Sequence, residues 1–293
     1  MNRRLLARMQ VAAGIVLFAL GIAGMLGWIP AFIDVTYPLA WWGLLMLVDA
    51  WNHRRRGLSL WRGNAALFWR VTLPGSALLW LFFELLNLPS PQWIYLGGFH
   101  SIAGQTLLGF VSFSTVVPIV IEAWWLVAGP ICLPPSLLTF APRWRVAFVL
   151  AGLVVIALPW INHISWALNQ GMWLAPALLL LPFTKAPACA DSRRWLWRLS
   201  IAGLLSGFAW ECLNWPSHTH WKYVILPHAP HLFQMPLPGY IGFIPFALTC
   251  IAVYELCREI RPGIATATVL YVVAVGLMYV VTEVYFVRGI WRP

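Results

Sequence analysis

Charge is what this sequence has least of. Of its 293 residues, only 10% are Asp, Glu, Lys or Arg, while 61% are hydrophobic, and the mean hydropathy is +0.78. A soluble domain carries about 25% charged residues. The deficit excludes a disordered chain, an ordinary soluble enzyme and a nucleic-acid binder. Acids are scarcest of all, nine against 19 Lys and Arg. The five cysteines, Cys132, Cys189, Cys212, Cys250 and Cys257, form no CxxC pair. They fall in apolar runs or at the basic ends of those runs, so neither a disulfide framework nor a zinc ribbon is expected. Phosphate-binding GxxxxGK[ST], HExxH and GxSxG are absent, as are paired histidine boxes. No polar stretch is long enough for a nucleotide-binding domain.

What the chain does have is apolar length. Nine runs, near 9–29, 36–51, 66–88, 105–128, 146–164, 168–184, 195–215, 239–257 and 264–286, predict an all-α, polytopic transmembrane helix bundle. The first run is too long for a signal-peptide core and is read as a retained helix. Cations test the count. With the N-terminus inside, 16 of the 19 Lys and Arg fall in inside segments, and only Lys222, Arg288 and Arg292 fall outside. The positive-inside rule then predicts an inner-membrane protein with a cytoplasmic N-terminus and an extracytoplasmic C-terminus.

The chain also repeats itself. Phe83-Glu84-Leu85-Leu86-Asn87-Leu88-Pro89 aligns with Trp210-Glu211-Cys212-Leu213-Asn214-Trp215-Pro216. Trp69-Arg70 aligns with Trp197-Arg198, and Trp93-x-Tyr95 with Trp221-x-Tyr223. Gly109 to Glu122 aligns with Gly242 to Glu255. Four blocks in one order predict a duplication: residues 1–130 and 131–260 as four-span repeats, and 261–293 as an added span. An even number of spans per copy makes the repeats parallel, about an axis along the membrane normal.

The stretch Trp210 to Leu248 reads W-E-x-x-N-W…W-K-Y…M-P-L-P-G-Y-I-G-F-I-P-F-A-L. It resembles an uncharacterised family of bacterial multi-pass inner-membrane proteins. That resemblance implies a membrane location and no particular chemistry.

Carboxyl groups within apolar spans are expensive and are normally paired, protonated or turned to a cavity. Glu84 and Asn87 share one helix face at i,i+3, as do Glu211 and Asn214. Across the pseudo-axis these four predict an acid/base or cation site near the outer surface, or a polar staple between the two halves. Glu122 and Glu255 lie 13 residues beyond their glycines, about 20 Å deeper at 1.5 Å per residue. They form a second candidate pair near the inner side, with Arg258 within reach of Glu255. His218, His220, His228 and His231, with His100 and His163 elsewhere on the outer side, suggest a possible divalent-metal site. The alternative is a set of interfacial histidines.

Twenty tryptophans exceed what interfacial belts require. Trp80, Trp93, Tyr95, Trp210, Trp215, Trp221 and Tyr223 gather near the outer motifs as candidate lining of an aromatic pocket. Such a pocket with an acid suits protonation of a polyene, whose carbocation the rings would stabilise. Three readings follow: an enzyme acting on a lipid or isoprenoid, a proton- or cation-coupled transporter using the same carboxylates, and an assembly subunit docking through residues 215–238. The sequence identifies no protein partner.

Overall fold

The computed structural model describes residues 3–161 and 166–293. It is mostly helical, in keeping with the apolar runs. The helices are α1 Arg3–Met25, α2 Thr36–Arg56, α3 Ala65–Asn87, α4 Ile102–Val127, α5 Pro135–Arg143, α6 Arg145–Trp160, α7 Gln170–Phe183, α8 Trp195–Asn214, α9 Leu237–Glu259 and α10 Ile264–Val287. Among the described residues, six helices (α1, α2, α3, α4, α9 and α10) are long and apolar enough to cross a membrane. The bent pair α5–α6, which turns by 85°, would make a seventh. The runs near 168–184 and 195–215 fold as α7 and α8. The first is short, and the second carries Arg198 and Glu211.

Burial orders these helices. The apolar window of α4 is 78% buried, whereas those of α1 and α10 are 17% buried. So α4 is central, packed on α8, α9 and α2, while α1 and α10 lie outside with most of their surface uncovered. α1 rests on α2, and α10 rests on α3 and α4.

The all-α expectation needs one correction. Five short strands gather at one end of the bundle. β1 Trp93–Leu96 lies between β2 His220–Tyr223, antiparallel to it, and β5 Trp291–Arg292, parallel to it. β3 His231–Leu232 pairs with β4 Met235–Pro236. The alternating Trp-x-Tyr motifs have the period of a strand. Gly97 and Gly98, both at positive φ, turn the chain away from β1 at a place where a Cβ on Gly97 would sit 2.6 Å from the His218 carbonyl oxygen.

The opposite end holds the basic loops: residues 54–62, the segment around Lys185, and Arg258 with Arg261. Lys185 bonds Glu259 there at 2.6 Å, and Arg56 reaches the Leu126 carbonyl at 3.2 Å. This end also contains a Cys132–Cys189 disulfide, against the expectation of none. Fifty-seven residues separate the two cysteines. The fold joins them because Leu133 bridges to Ala188, with Leu133 N–H donating to Pro187 and Cys189 N–H to Leu133, both at 2.9 Å. Spacing alone gave no sign of that contact.

Candidate functional site

Two glutamates on corresponding helices anchor the sheet end. Glu84 on α3 and Glu211 on α8 are fully buried. Three residues further along, Asn87 and Asn214 end these helices. The Asn87 side chain accepts from the Gln92 N–H at 2.7 Å and donates to the Trp93 carbonyl at 3.0 Å. The Asn214 side chain accepts from the Trp221 N–H at 2.9 Å and donates to the same residue's carbonyl at 2.8 Å. Each asparagine therefore fastens the incoming strand to its helix. Neither bonds its neighbouring carboxyl directly; Asn87 reaches Glu84 only through the Tyr285 hydroxyl, to which it donates at 3.3 Å.

The strands so fastened pair Trp93 with Tyr223 and Tyr95 with Trp221. The two Trp-x-Tyr motifs thus meet head to tail, each exchanging Trp for Tyr with the other. Each motif also bonds the glutamate of its own half. Trp93 Nε1 donates to Glu84 at 3.3 Å, and the Tyr95 hydroxyl donates to the same carboxyl. Trp221 Nε1 and the Tyr223 hydroxyl donate to Glu211 Oε1, both at 3.1 Å. Burial, then the neighbouring Glu84 and Tyr285, holds the Tyr95 hydroxyl well above its ordinary range. Burial, then Glu211, does the same to Tyr223. Both phenols keep their protons and remain donors.

The two glutamate networks then diverge. Glu84 takes two further donors, Trp80 Nε1 and the Tyr285 hydroxyl, the latter at 2.6 Å. Tyr285 comes from α10, from which no hydrogen bond reaches Glu211 among the described residues. On α8 the position equivalent to Trp80 is Gly207, and a Cβ there would strike the Phe243 ring. Glu211 accordingly has donors on Oε1 alone. Its Oε2 is buried without a hydrogen-bond partner. No hydrogen bond joins the two carboxyls among the described residues, so they form two sites rather than one dyad.

Glu211 opens onto a cavity of about 70 Å³. At roughly 10–15 Å³ per water, this is room for about five waters or a slender chain. Trp80, Tyr95, Trp210, Trp221 and Tyr223 line it, joined by Tyr37 and Trp291. Thr219 also faces it, with a buried hydroxyl that has no partner. Ser112 and His220 add polar groups to this largely apolar, aromatic chamber, and two of its polar atoms are buried without a partner, Glu211 Oε2 and Thr219 Oγ1. Neither Thr219 nor Tyr285 was flagged by the repeat, because Thr219 precedes the motif and Tyr285 lies outside both copies.

Other expected residues fall elsewhere. Trp93 packs behind the cavity, stacked on Trp173 at 5.7 Å. Trp215 is 60% exposed against Phe233 and lines nothing, because it follows the last turn of α8 and points away from the bundle. The histidines do not converge. His218 bonds Asp34, His220 bonds the His218 carbonyl, and His231 bonds the Ala229 carbonyl. Among the described residues, no group of three or more His, Cys, Asp or Glu is placed to hold a metal ion. The metal expectation for His218, His220, His228 and His231 is corrected on that ground, since the loop's extended turns spread them apart. His163 lies outside the described residues. Glu122 and Glu255 are both buried, yet they have separate partners. Glu255 takes Arg258 at 2.8 Å, and Glu122 takes Asn52 at 2.6 Å.

No family model, curated protein or solved structure matches this chain.

Proposed function

We propose that this is a multi-pass inner-membrane enzyme that binds a lipid or isoprenoid in the aromatic cavity and performs acid/base chemistry on it through Glu211. The observation that carries the reading is the pair of unpartnered groups, Glu211 Oε2 and Thr219 Oγ1, inside walls of tryptophan and tyrosine. A buried polar atom without a partner is costly, and a ligand group that supplies the missing hydrogen bond relieves the cost. The ligand's polar end meets Glu211 and Thr219, and its apolar body fills the rest. Glu211 passes its proton to an alkene carbon of the ligand. The cation so formed is stabilised by the surrounding rings, and loss of a proton back to the carboxylate yields an isomer. Glu84, already holding four donors, is structural.

The same reading treats the chain as two parallel four-span repeats followed by a ninth span. The matched Trp-Tyr-Glu-Asn networks of the two halves support it. It sets the basic end in the cytoplasm. The Cys132–Cys189 bond would be reduced there. Alkylation of intact cells should then label both thiols without a reductant. Labelling that appears only after reduction would reverse the orientation.

Heavy water tests the chemistry. Membranes containing the protein are incubated in D2O, and their extracted lipids are analysed by mass spectrometry. Deuterium should enter one lipid class with wild type and not with Glu211→Gln. Equal incorporation in both would remove Glu211 as the acid. The second reading, a proton- or cation-coupled transporter, is favoured by one observation, buried carboxyls at both ends of the bundle. It gains if no deuterium enters any lipid.

A further inference from the structure

A second buried acid cluster lies at the basic end, and it is independent of the aromatic cavity. Asp49 on α2 is 2% exposed and Glu122 on α4 is fully buried. Asp49 accepts hydrogen bonds from the Ser59 hydroxyl at 2.8 and 2.9 Å, from Gln10 Nε2 at 2.7 Å and from the Trp61 N–H at 3.2 Å. Glu122 Oε2 accepts from Asn52 Nδ2 at 2.6 Å, and the same amide holds the Glu122 carbonyl at 2.9 Å.

The remaining oxygen, Glu122 Oε1, has no donor on it. Asn52, which holds Glu122, lies one turn beyond Asp49 on the same face of α2, so these bonds bring the two buried carboxyls to neighbouring positions. Two ionised carboxylates have only acceptors and cannot hydrogen-bond to one another. A proton on one of them supplies a donor and removes the repulsion of two buried like charges. The nearest cation does not do this. Arg62 points its guanidinium at Gln10 Oε1, at 2.6 and 2.9 Å, and reaches neither carboxyl. The other titratable or charged groups around the cluster are His53 and Arg56 on α2 and Tyr254, Glu255 and Arg258 on α9. Arg56 is engaged by the Leu126 carbonyl and Arg258 by Glu255.

The pair is also within reach of water. Ser59 and Leu60 form part of the wall of a cleft of about 370 Å³, which Tyr254 and Arg258 also line. The Ser59 hydroxyl thus stands between the cleft and Asp49; its oxygen accepts the Arg62 N–H at 2.8 Å, and its second lone pair can take a water while the hydroxyl donates to Asp49.

We propose that Asp49 and Glu122 form a proton-binding site at the basic end, holding one proton between them and exchanging it with the cleft through Ser59. The assignment rests on the unpartnered oxygen of Glu122, buried one helical turn from a second buried acid, not on any activity at the opposite end.

Infrared difference spectroscopy of the full-length protein in lipid nanodiscs tests this at neutral pH. Glu122→Gln copies the shape of the protonated acid and should fold. The wild-type-minus-variant spectrum should contain a protonated-carboxyl C=O band that shifts in D2O. Asp49→Asn should displace the same band, and Ser59→Ala should leave it in place while slowing its deuterium exchange. If Glu122→Gln does not purify, the Asp49→Asn and Ser59→Ala spectra decide. The proposal is overturned if the variants remove only ionised-carboxylate bands. It is equally overturned if the C=O band appears only when sodium and potassium are replaced by choline, since the pair would then hold a metal cation.

Discussion

Glu84→Ala should be the most destabilising single truncation at the sheet end, costing on the order of 5 kcal/mol, and Glu211→Ala should cost about half as much. The difference comes from the bonds lost, four against two. Removing the Glu84 carboxyl strands Trp93 Nε1 and the Tyr95 hydroxyl, leaves Trp80 Nε1 only its 3.3 Å bond to the Tyr95 hydroxyl, and leaves the Tyr285 hydroxyl on the Glu84 backbone carbonyl at 2.8 Å. Removing Glu211 strands Trp221 Nε1 and the Tyr223 hydroxyl but also removes a buried oxygen that was already unpaired, which offsets part of the cost. A buried donor left unpaired costs about 1–3 kcal/mol, and hydroxyls recover part of this by rotating. Folded proteins are stable by about 5–15 kcal/mol in total. Glu84→Ala should therefore approach the folding threshold, whereas Glu211→Ala should remain purifiable. Thermal denaturation in one detergent reads both. A Glu211→Ala protein as unstable as Glu84→Ala would remove the distinction between a structural and a free carboxyl.

The second large effect concerns α1, which contributes little apolar burial and is held by close backbone approach. A Cβ built on Gly43 would lie 2.7 Å from the Gly14 carbonyl oxygen and 2.8 Å from the Phe18 Cα. One on Gly21 would lie 2.7 Å from the Ala40 Cα. Small residues at such a crossing let helices pack in lipid, where no hydrophobic force draws them together. Gly43→Leu must push the helices apart and should cost about 3 kcal/mol. It should also lift Gln10 from Asp49, whose bond is 2.7 Å long. The expected result is a lowered melting temperature together with early protease cleavage within α1. Unchanged stability and protection would mean that α1 docks by other contacts.

The sequence disclosed the helices and the paired motifs because both signals are local. Hydropathy marks a span, and Trp-x-Tyr with Glu-x-x-Asn is visible as a repeated string. It did not disclose which glutamate is free. That depends on Tyr285 arriving from α10, 201 residues away, and on Gly207 yielding its place to Phe243. The Cys132–Cys189 bond and the Asn52–Glu122 bond that sets Glu122 near Asp49 were hidden for the same reason, since each joins segments far apart in the chain. The histidines misled in the opposite way. Their nearness in sequence suggested a common ligand, but the turns of residues 218–231 direct them to separate partners.

The central claim, that the aromatic cavity holds an apolar ligand by its polar end through Glu211 and Thr219, is tested most directly by what copurifies with the protein. Mass spectrometry of wild type in mild detergent, beside Glu211→Gln and Thr219→Val, should find one lipid or isoprenoid class enriched in wild type. Both variants should lose it while retaining their fold. Wild type and variants carrying the same bulk lipids in the same proportions would contradict the account.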